Sequence, residues 1–351
     1  MNKKLSDIFK VAFLFDWIYL VLTHSQCGEA VIVVDAGGGT VDISTYKITN
    51  SSPLVRAQEC AVTKCLLQGS TFVNSRAETY LREKLRHSPY GSNEDILEML
   101  KDFEKSAKPS FKGGSRNTMI KFGSPKAPDD IERGVSRGRL SLSSKEMIAL
   151  FDPSIRAIEE AITEQRQSAT GSIKTILLSG GFSASPFLRA RLQTYAESAG
   201  VSLYYPDTEG QSPAKAVAEG ALAFYIDHCV FARMAKRTYG IQGSTMFWPF
   251  NPEHLQRVDQ VFLDCEGDLC LPRHFAPVLK KGTLVTADEE FVCSFLRNTP
   301  EPIDNIQTSI VCYKGDKSDP HWTDVEPEMF LTYAPFKPMY PSWLEDGQEK
   351  R

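Results

Sequence analysis

Two aspartates, Asp35 and Asp42, bracket three consecutive glycines and a threonine in the stretch "VIVVDAGGGTVDISTYKI", residues 31 to 48. Three missing Cβ atoms in a row let a ligand lie close to the backbone, and successive N–H groups there can converge on an anion. Phosphate is the natural candidate. Asp35 and Asp42 could hold a hydrated Mg²⁺ and the Thr40 hydroxyl could meet a terminal phosphate. The plainer alternative is a flexible hairpin with solvated carboxylates, since glycine-rich turns are common. A P-loop is excluded, because no Lys-Ser or Lys-Thr pair opens a helix here, and a dinucleotide fingerprint also hands its glycines to a helix.

The flanking residues are those of strands. Val31 to Val34 are β-branched and apolar, as in a strand buried on both faces. Beyond the turn, Val41, Ile43 and Thr45 alternate with Asp42, Ser44 and Tyr46, the period of a half-buried strand. Further on, Gly69 and Ser70 precede a helical pattern that starts near Thr71. A second helix is expected from Asn93 to Phe111, ending before Pro109 and the Gly113-Gly114 pair. "TMIKF" and "GRLSLS" read as short strands. Ser143 and Glu146 form a capping box for a helix whose core face carries Phe151, Ile155, Ile158 and Ile162, with Asp152 and Glu159 as solvated surface. Ile173 to Leu178 then predict a buried strand, Gly180-Gly181 a tight turn, and Ser185-Pro186 an N-cap and first helical residue. An Ala-rich helix follows the loop near 206 to 223. Past Cys229 short alternating segments predict a small β-rich region.

The 351 residues carry 40 basic and 44 acidic side chains, a net charge of −4. That leaves no electrostatic footprint for nucleic acid. The eight cysteines are scattered, without paired C-x₂-C knuckles, and read as reduced thiols of a cytoplasmic protein. The apolar run from Val11 to Leu22 is interrupted by Asp16 and is too short to span a bilayer, so a membrane association is not expected. It reads as a buried helix or an atypical leader.

In order along the chain, "DAGGGTVDIS", "GSTF", "FEKSAK", "LLSGGFSASP" and "SPAKAVAEGA" resemble the actin-like ATPase superfamily. More narrowly, the set looks like the DnaK-type heat shock 70 kDa chaperones, in the divergent heat shock 70 kDa protein 12-like branch. The resemblance implies an α/β, ribonuclease H-like second lobe of an actin-like nucleotide-binding domain, with a helical insertion and a small β-rich region after it. The divisions expected are an atypical segment 1–28, the lobe 29–230 with its insertion at about 70–142, the β-rich region 231–334 and a flexible tail 335–351.

The resemblance also implies roles. Asp35, Gly37, Gly38, Gly39, Thr40 and Asp42 would form a phosphate-binding hairpin, with Asp35, Thr40 and Asp42 as catalytic groups and the two aspartates meeting Mg through water. Gly69, Ser70 and Thr71 would lie on the ribose side. Glu104 and Lys108, one turn apart on a helix, would frame the adenosine, and Gly180, Gly181 and Phe182 would close the opposite wall. Where the family places an arginine after its glycine pair, this chain has Ala184. No first-lobe Asp-x-Gly-Thr hairpin is found before Asp35, so the chain reads as a truncated form, and hydrolysis by it alone is expected to be negligible. The implied function is an ATP- or ADP-binding, chaperone-like protein whose nucleotide state is coupled to contacts with protein clients or co-chaperones. The alternatives are a remnant of an actin-like-fold metabolite kinase and a non-enzymatic interaction module.

Overall fold

A computed structural model describes residues 26–51, 56–205, 230–292, 294 and 308–336. The expected apolar segment at 11–22, the Ala-rich helix near 206–223 with "SPAKAVAEGA", and the tail beyond 336 lie outside these residues. The chain divides into two compact units, 1–233 and 234–351. Among the described residues no helix is long and apolar enough to cross a membrane.

The first unit is mixed α/β. Its central sheet has the order β9-β3-β2-β1-β7-β8, built from β1 (Glu29–Ala36), β2 (Val41–Asn50), β3 (Arg56–Leu66), β7 (Ser172–Ser179), β8 (Ser202–Tyr204) and β9 (Val230–Met234). β1, β2 and β3 run antiparallel in sequence, while β7 lies parallel to β1 and β8 parallel to β7. Between β3 and β7 stand α1 (Ser70–Lys84), α2 (Asn93–Asp102), a small sheet of β4 (Thr118–Lys121), β5 (Val135–Ser136) and β6 (Arg139–Leu142), and α3 (Ser144–Ser168); α4 (Pro186–Ser198) joins β7 to β8.

The alternation read in β2 is what packs the sheet. Val41 and Ile43 are fully buried, as are Ile32 and Val34 of β1, and they meet Val73, Leu81, Phe151, Ile155 and Leu178 in one core; Ile48 of β2 is fully buried as well. Thr45 is buried with them because its hydroxyl donates to Gln165 Oε1 at 2.5 Å, and Gln165 Nε2 in turn donates to the Val62 carbonyl at 2.7 Å. This ties α3 to two strands and leaves no buried polar group orphaned at that point.

α3 starts at the expected capping box, with the Ser143 hydroxyl accepting from Glu146 N and Glu146 Oε2 accepting from Ser143 N at 2.6 Å. Asp152 and Glu159 are not free surface carboxylates, because Arg191 of α4 pairs with both, at 2.9 and 3.5 Å, and Arg156 pairs with Asp152 at 2.6 Å. The helix from Asn93 also departs from expectation. α2 passes at Phe103–Ala107 into a π-helical stretch and then makes one further turn, Lys108–Ser110, that includes Pro109.

The second unit contains the short strand β13 (Leu284–Thr286) and an antiparallel sheet of order β11-β12-β10-β14-β15, from β10 (Thr238–Met246), β11 (Phe262–Leu263), β12 (Leu269–Leu279), β14 (Thr308–Tyr313) and β15 (Phe330–Phe336). Phe275, Val311 and Tyr313 form its core, with Phe330 packed against them. β15 continues to Phe336, past the point where the proline-rich sequence predicts a tail.

Candidate phosphate-binding site

The site lies at one end of the central sheet, where β1 ends and β2 begins. Asp35 and Asp42 face each other across that hairpin as a register pair, and Asp35 is level with Ser179 at the end of β7. Gly180 follows with φ at 85°, a left-handed value that favours glycine, and a Cβ on it would stand 2.4 Å from both the Ala36 carbonyl oxygen and Asp35 Oδ1. The parallel register therefore seats the second glycine turn against the end of β1, next to the first turn.

The Gly37–Gly39 turn is closed from the other side by α1. Gly69 N donates to the Gly39 carbonyl at 3.3 Å, Ser70 N to Gly37 at 3.1 Å and Thr71 N to Gly38 at 2.9 Å, with the Thr71 hydroxyl adding a bond to Gly38 at 2.8 Å. Helix N-termini leave such donors without intrahelical partners, and here the turn's carbonyls take them. Gly69 is required by contact alone: its φ is −66°, yet a Cβ would come within 2.3 Å of the Gly38 oxygen.

Gly38 and Gly39 are different. Among the described residues a Cβ at either would meet nothing within 4 Å, and neither has a left-handed φ. Among the described residues no backbone acceptor takes their N–H groups, whereas Gly37 N is bonded to the Thr40 carbonyl at 2.9 Å. The turn thus directs its carbonyls onto α1 and keeps exposed amide donors with no side chain beside them. Neither chain conformation nor packing accounts for the bareness of these two positions.

The electrostatics suit a cation next to an anion. Burial raises the Asp35 carboxyl above its ordinary range, and the Asp42 charge opposite raises it further. The Thr40 hydroxyl donates to Asp42 Oδ2 at 3.1 Å. Among the described residues no lysine or arginine forms an ion pair with either aspartate, and no cluster of three or more His, Cys, Asp or Glu side chains forms a metal cage. Two opposed carboxylates fit a divalent cation of the Mg²⁺ type, which keeps several waters and shares phosphate oxygens.

Glu104 and Lys108 come to the same end, but not as an α-helical i,i+4 pair. The π-helical stretch widens the turn between them, a device frequent at functional sites. Asn74 of α1 stands between: its Nδ2 donates to Glu104 Oε1 at 2.9 Å and its Oδ1 accepts from Lys108 Nζ at 2.7 Å. Lys108 also reaches the Ser70 carbonyl at 3.4 Å. Burial lowers the Lys108 ammonium from its ordinary range, with Glu104 opposing in part.

On the opposite side, Gly181 is exposed with nothing within 4 Å of a Cβ, whereas the Phe182 ring turns inward against Phe151 and is 3% exposed. Phe182 therefore presents no ring face to the surface. Ala184 is exposed. Beyond it Arg189, one turn into α4, donates from Nε back to the Ser183 carbonyl at 2.5 Å and stacks over the Tyr205 ring at 4.4 Å. Asn74 and Arg189 escaped sequence reasoning because their partners are set by tertiary contact; Asn74 lies 30 and 34 residues from Glu104 and Lys108.

No protein-family model matches the chain. Two curated proteins do. The chain is similar to a heat-shock protein. Heat shock 70 kDa protein 12A of Homo sapiens and its counterpart of Mus musculus are each 26% identical over 250 residues, an alignment covering 61% of this chain. The chain spans 34% of the length of these relatives. At this identity the likeness reaches to the heat-shock-70, actin-like ATPase family and no further, and the mixed α/β first unit is compatible with that family's fold.

Proposed function

We propose that the first unit binds a magnesium-complexed nucleoside polyphosphate, ATP or ADP, on the Gly37–Gly39 turn, as a heat-shock-70-like protein in which nucleotide state governs contacts with a protein partner. One observation carries the reading: Gly38 and Gly39 are free of side chains where the described residues give no steric or conformational reason for it, and among those residues their N–H groups have no backbone acceptor. Anion binding by successive backbone amides supplies that reason.

In this account the amides of the turn bind the polyphosphate, Thr40 contacts its terminal group, and Asp35 with Asp42 hold the waters of the cation. Mg²⁺, when bound, neutralises charge between adjacent phosphates. Gly69 and Ser70 support the ribose side, Glu104 and Lys108 the nucleoside, and Gly180 and Gly181 the facing turn. Ala184 leaves the base without a stacking cation at that position, so affinity rests on the phosphates. Asp35, Thr40 and Asp42 line one side of the terminal phosphate, and phosphoryl transfer to water needs positioned groups on both. Binding with negligible turnover is the expected behaviour of this chain by itself. Calorimetric titration with Mg-ADP, Mg-ATP and adenosine tests the reading: the two polyphosphates bind and adenosine does not. Adenosine binding as tightly as Mg-ADP, or no binding of any of the three, would contradict it.

A further inference from the structure

An acid and a base four residues apart on a helix ordinarily meet each other as an ion pair. Glu104 and Lys108 do not, and the reason lies on a different helix. Asn74 divides its side-chain amide between them, donating to the carboxylate at 2.9 Å and accepting from the ammonium at 2.7 Å. The π-helical stretch Phe103–Ala107 opens the space in which the amide fits. Lys108 is buried to 9% exposure, and its ammonium has three donors, of which Asn74 Oδ1 and the Ser70 carbonyl occupy two. Asn74 itself sits in the first turn and a half of α1, whose opening residues hold the Gly37–Gly39 carbonyls.

We propose that Asn74 is a positioning residue for the nucleoside part of the ligand: by standing between Glu104 and Lys108 it prevents their direct pairing and keeps the carboxylate and one ammonium donor available to sugar and base. This rests on the nucleotide reading of the site and assigns Asn74 no contact with the phosphates. An amide suits the position, since it offers a donor to the carboxylate and an acceptor to the ammonium on two separate atoms at once. With a shorter apolar residue the two charges close on each other, and a ligand must then break that pair before it binds.

The test is calorimetry on the full chain with two probes, Mg-ADP and Mg-pyrophosphate. Asn74→Ala is expected to weaken Mg-ADP about tenfold, the size of one lost charge-assisted contact, and to leave Mg-pyrophosphate within twofold of the unsubstituted chain. Asn74→Gln, which keeps a donor and an acceptor, is expected to recover Mg-ADP affinity to within about threefold. Equal loss of both probes would show that Asn74 acts through the glycine turn, and unchanged affinity for both would show a purely structural role; either result overturns the proposal while leaving the nucleotide reading in place. If the unsubstituted chain binds neither probe, the nucleotide reading fails and this inference fails with it.

Discussion

Asp35 is held where a carboxylate is disfavoured, half-buried and directly across the hairpin from Asp42. Like charges opposite one another destabilise an antiparallel pair, and burial adds to the penalty. The folded-state pKa is raised above its ordinary value, so the folded chain holds that proton more tightly than the unfolded chain does. Stability from this group is therefore present at low pH and lost as pH rises through the raised pKa. Asp35→Asn is expected to be more stable than the parent at neutral pH, with the difference shrinking as the pH is lowered through the carboxylate range, and to bind Mg-ADP more weakly. Urea unfolding at several pH values checks it; a variant less stable than the parent at neutral pH would show that Asp35 has a stabilising partner. Gly69 supplies the complementary case. Its φ of −66° suits alanine, and Gly→Ala at a compatible φ ordinarily stabilises by about 0.4–1 kcal/mol. The Gly38 oxygen 2.3 Å from the added Cβ reverses the sign. Gly69→Ala is expected to cost about 1–3 kcal/mol, as for overpacking elsewhere, and a stabilised variant would mean that α1 does not close on the turn as described.

At the scale of elements, local signals were legible and long-range ones were not. The unit β7, Gly180-Gly181, Ser185-Pro186 and α4 could be read because each boundary carries its own chemistry: β-branched and aliphatic residues, a glycine at positive φ, and a hydroxyl N-cap before proline. α3 announced itself in the same way. β3 escaped because its burial does not alternate cleanly: Glu59, Cys60 and Ala61 are buried in succession and the register with β2 shifts three times, which blurs the period that a sequence reading relies on. The π-helical stretch left no local mark, so Glu104 and Lys108 looked like an ordinary helical pair. The α3 cap also yields a prediction. Burial alone would raise the Glu146 carboxyl, but Lys84, Tyr80 and Ser143 together bring it down to about 2. Stability from this cluster is present above the unfolded value near 4.5 and is lost as pH falls towards 2. Ser143→Ala is expected to cost about 1 kcal/mol at neutral pH, measured by urea unfolding, and no loss would remove the cap from the account of why α3 starts where it does.

In the molecule as a whole, every candidate site residue falls in the first of the two compact units. Hydrogen exchange with and without Mg-ADP is expected to show protection at Gly37–Thr40, Gly69–Thr71 and Gly180–Ala184 and unchanged exchange in β10, β12 and β14. Protection confined to the second unit would place the ligand elsewhere. On the proposed reading, Gly38 is bare for a ligand and not for the fold. Among the described residues a Cβ there meets no atom within 4 Å and the backbone is not left-handed, so Gly38→Val should fold with a melting temperature close to that of the parent. The branched side chain should fill the space through which a polyphosphate reaches the amides. The decisive measurement is calorimetric titration of the folded Gly38→Val chain with Mg-ADP beside the parent. Binding by the parent and none by the variant is expected; equal affinity for the two would contradict a phosphate-binding role for the turn.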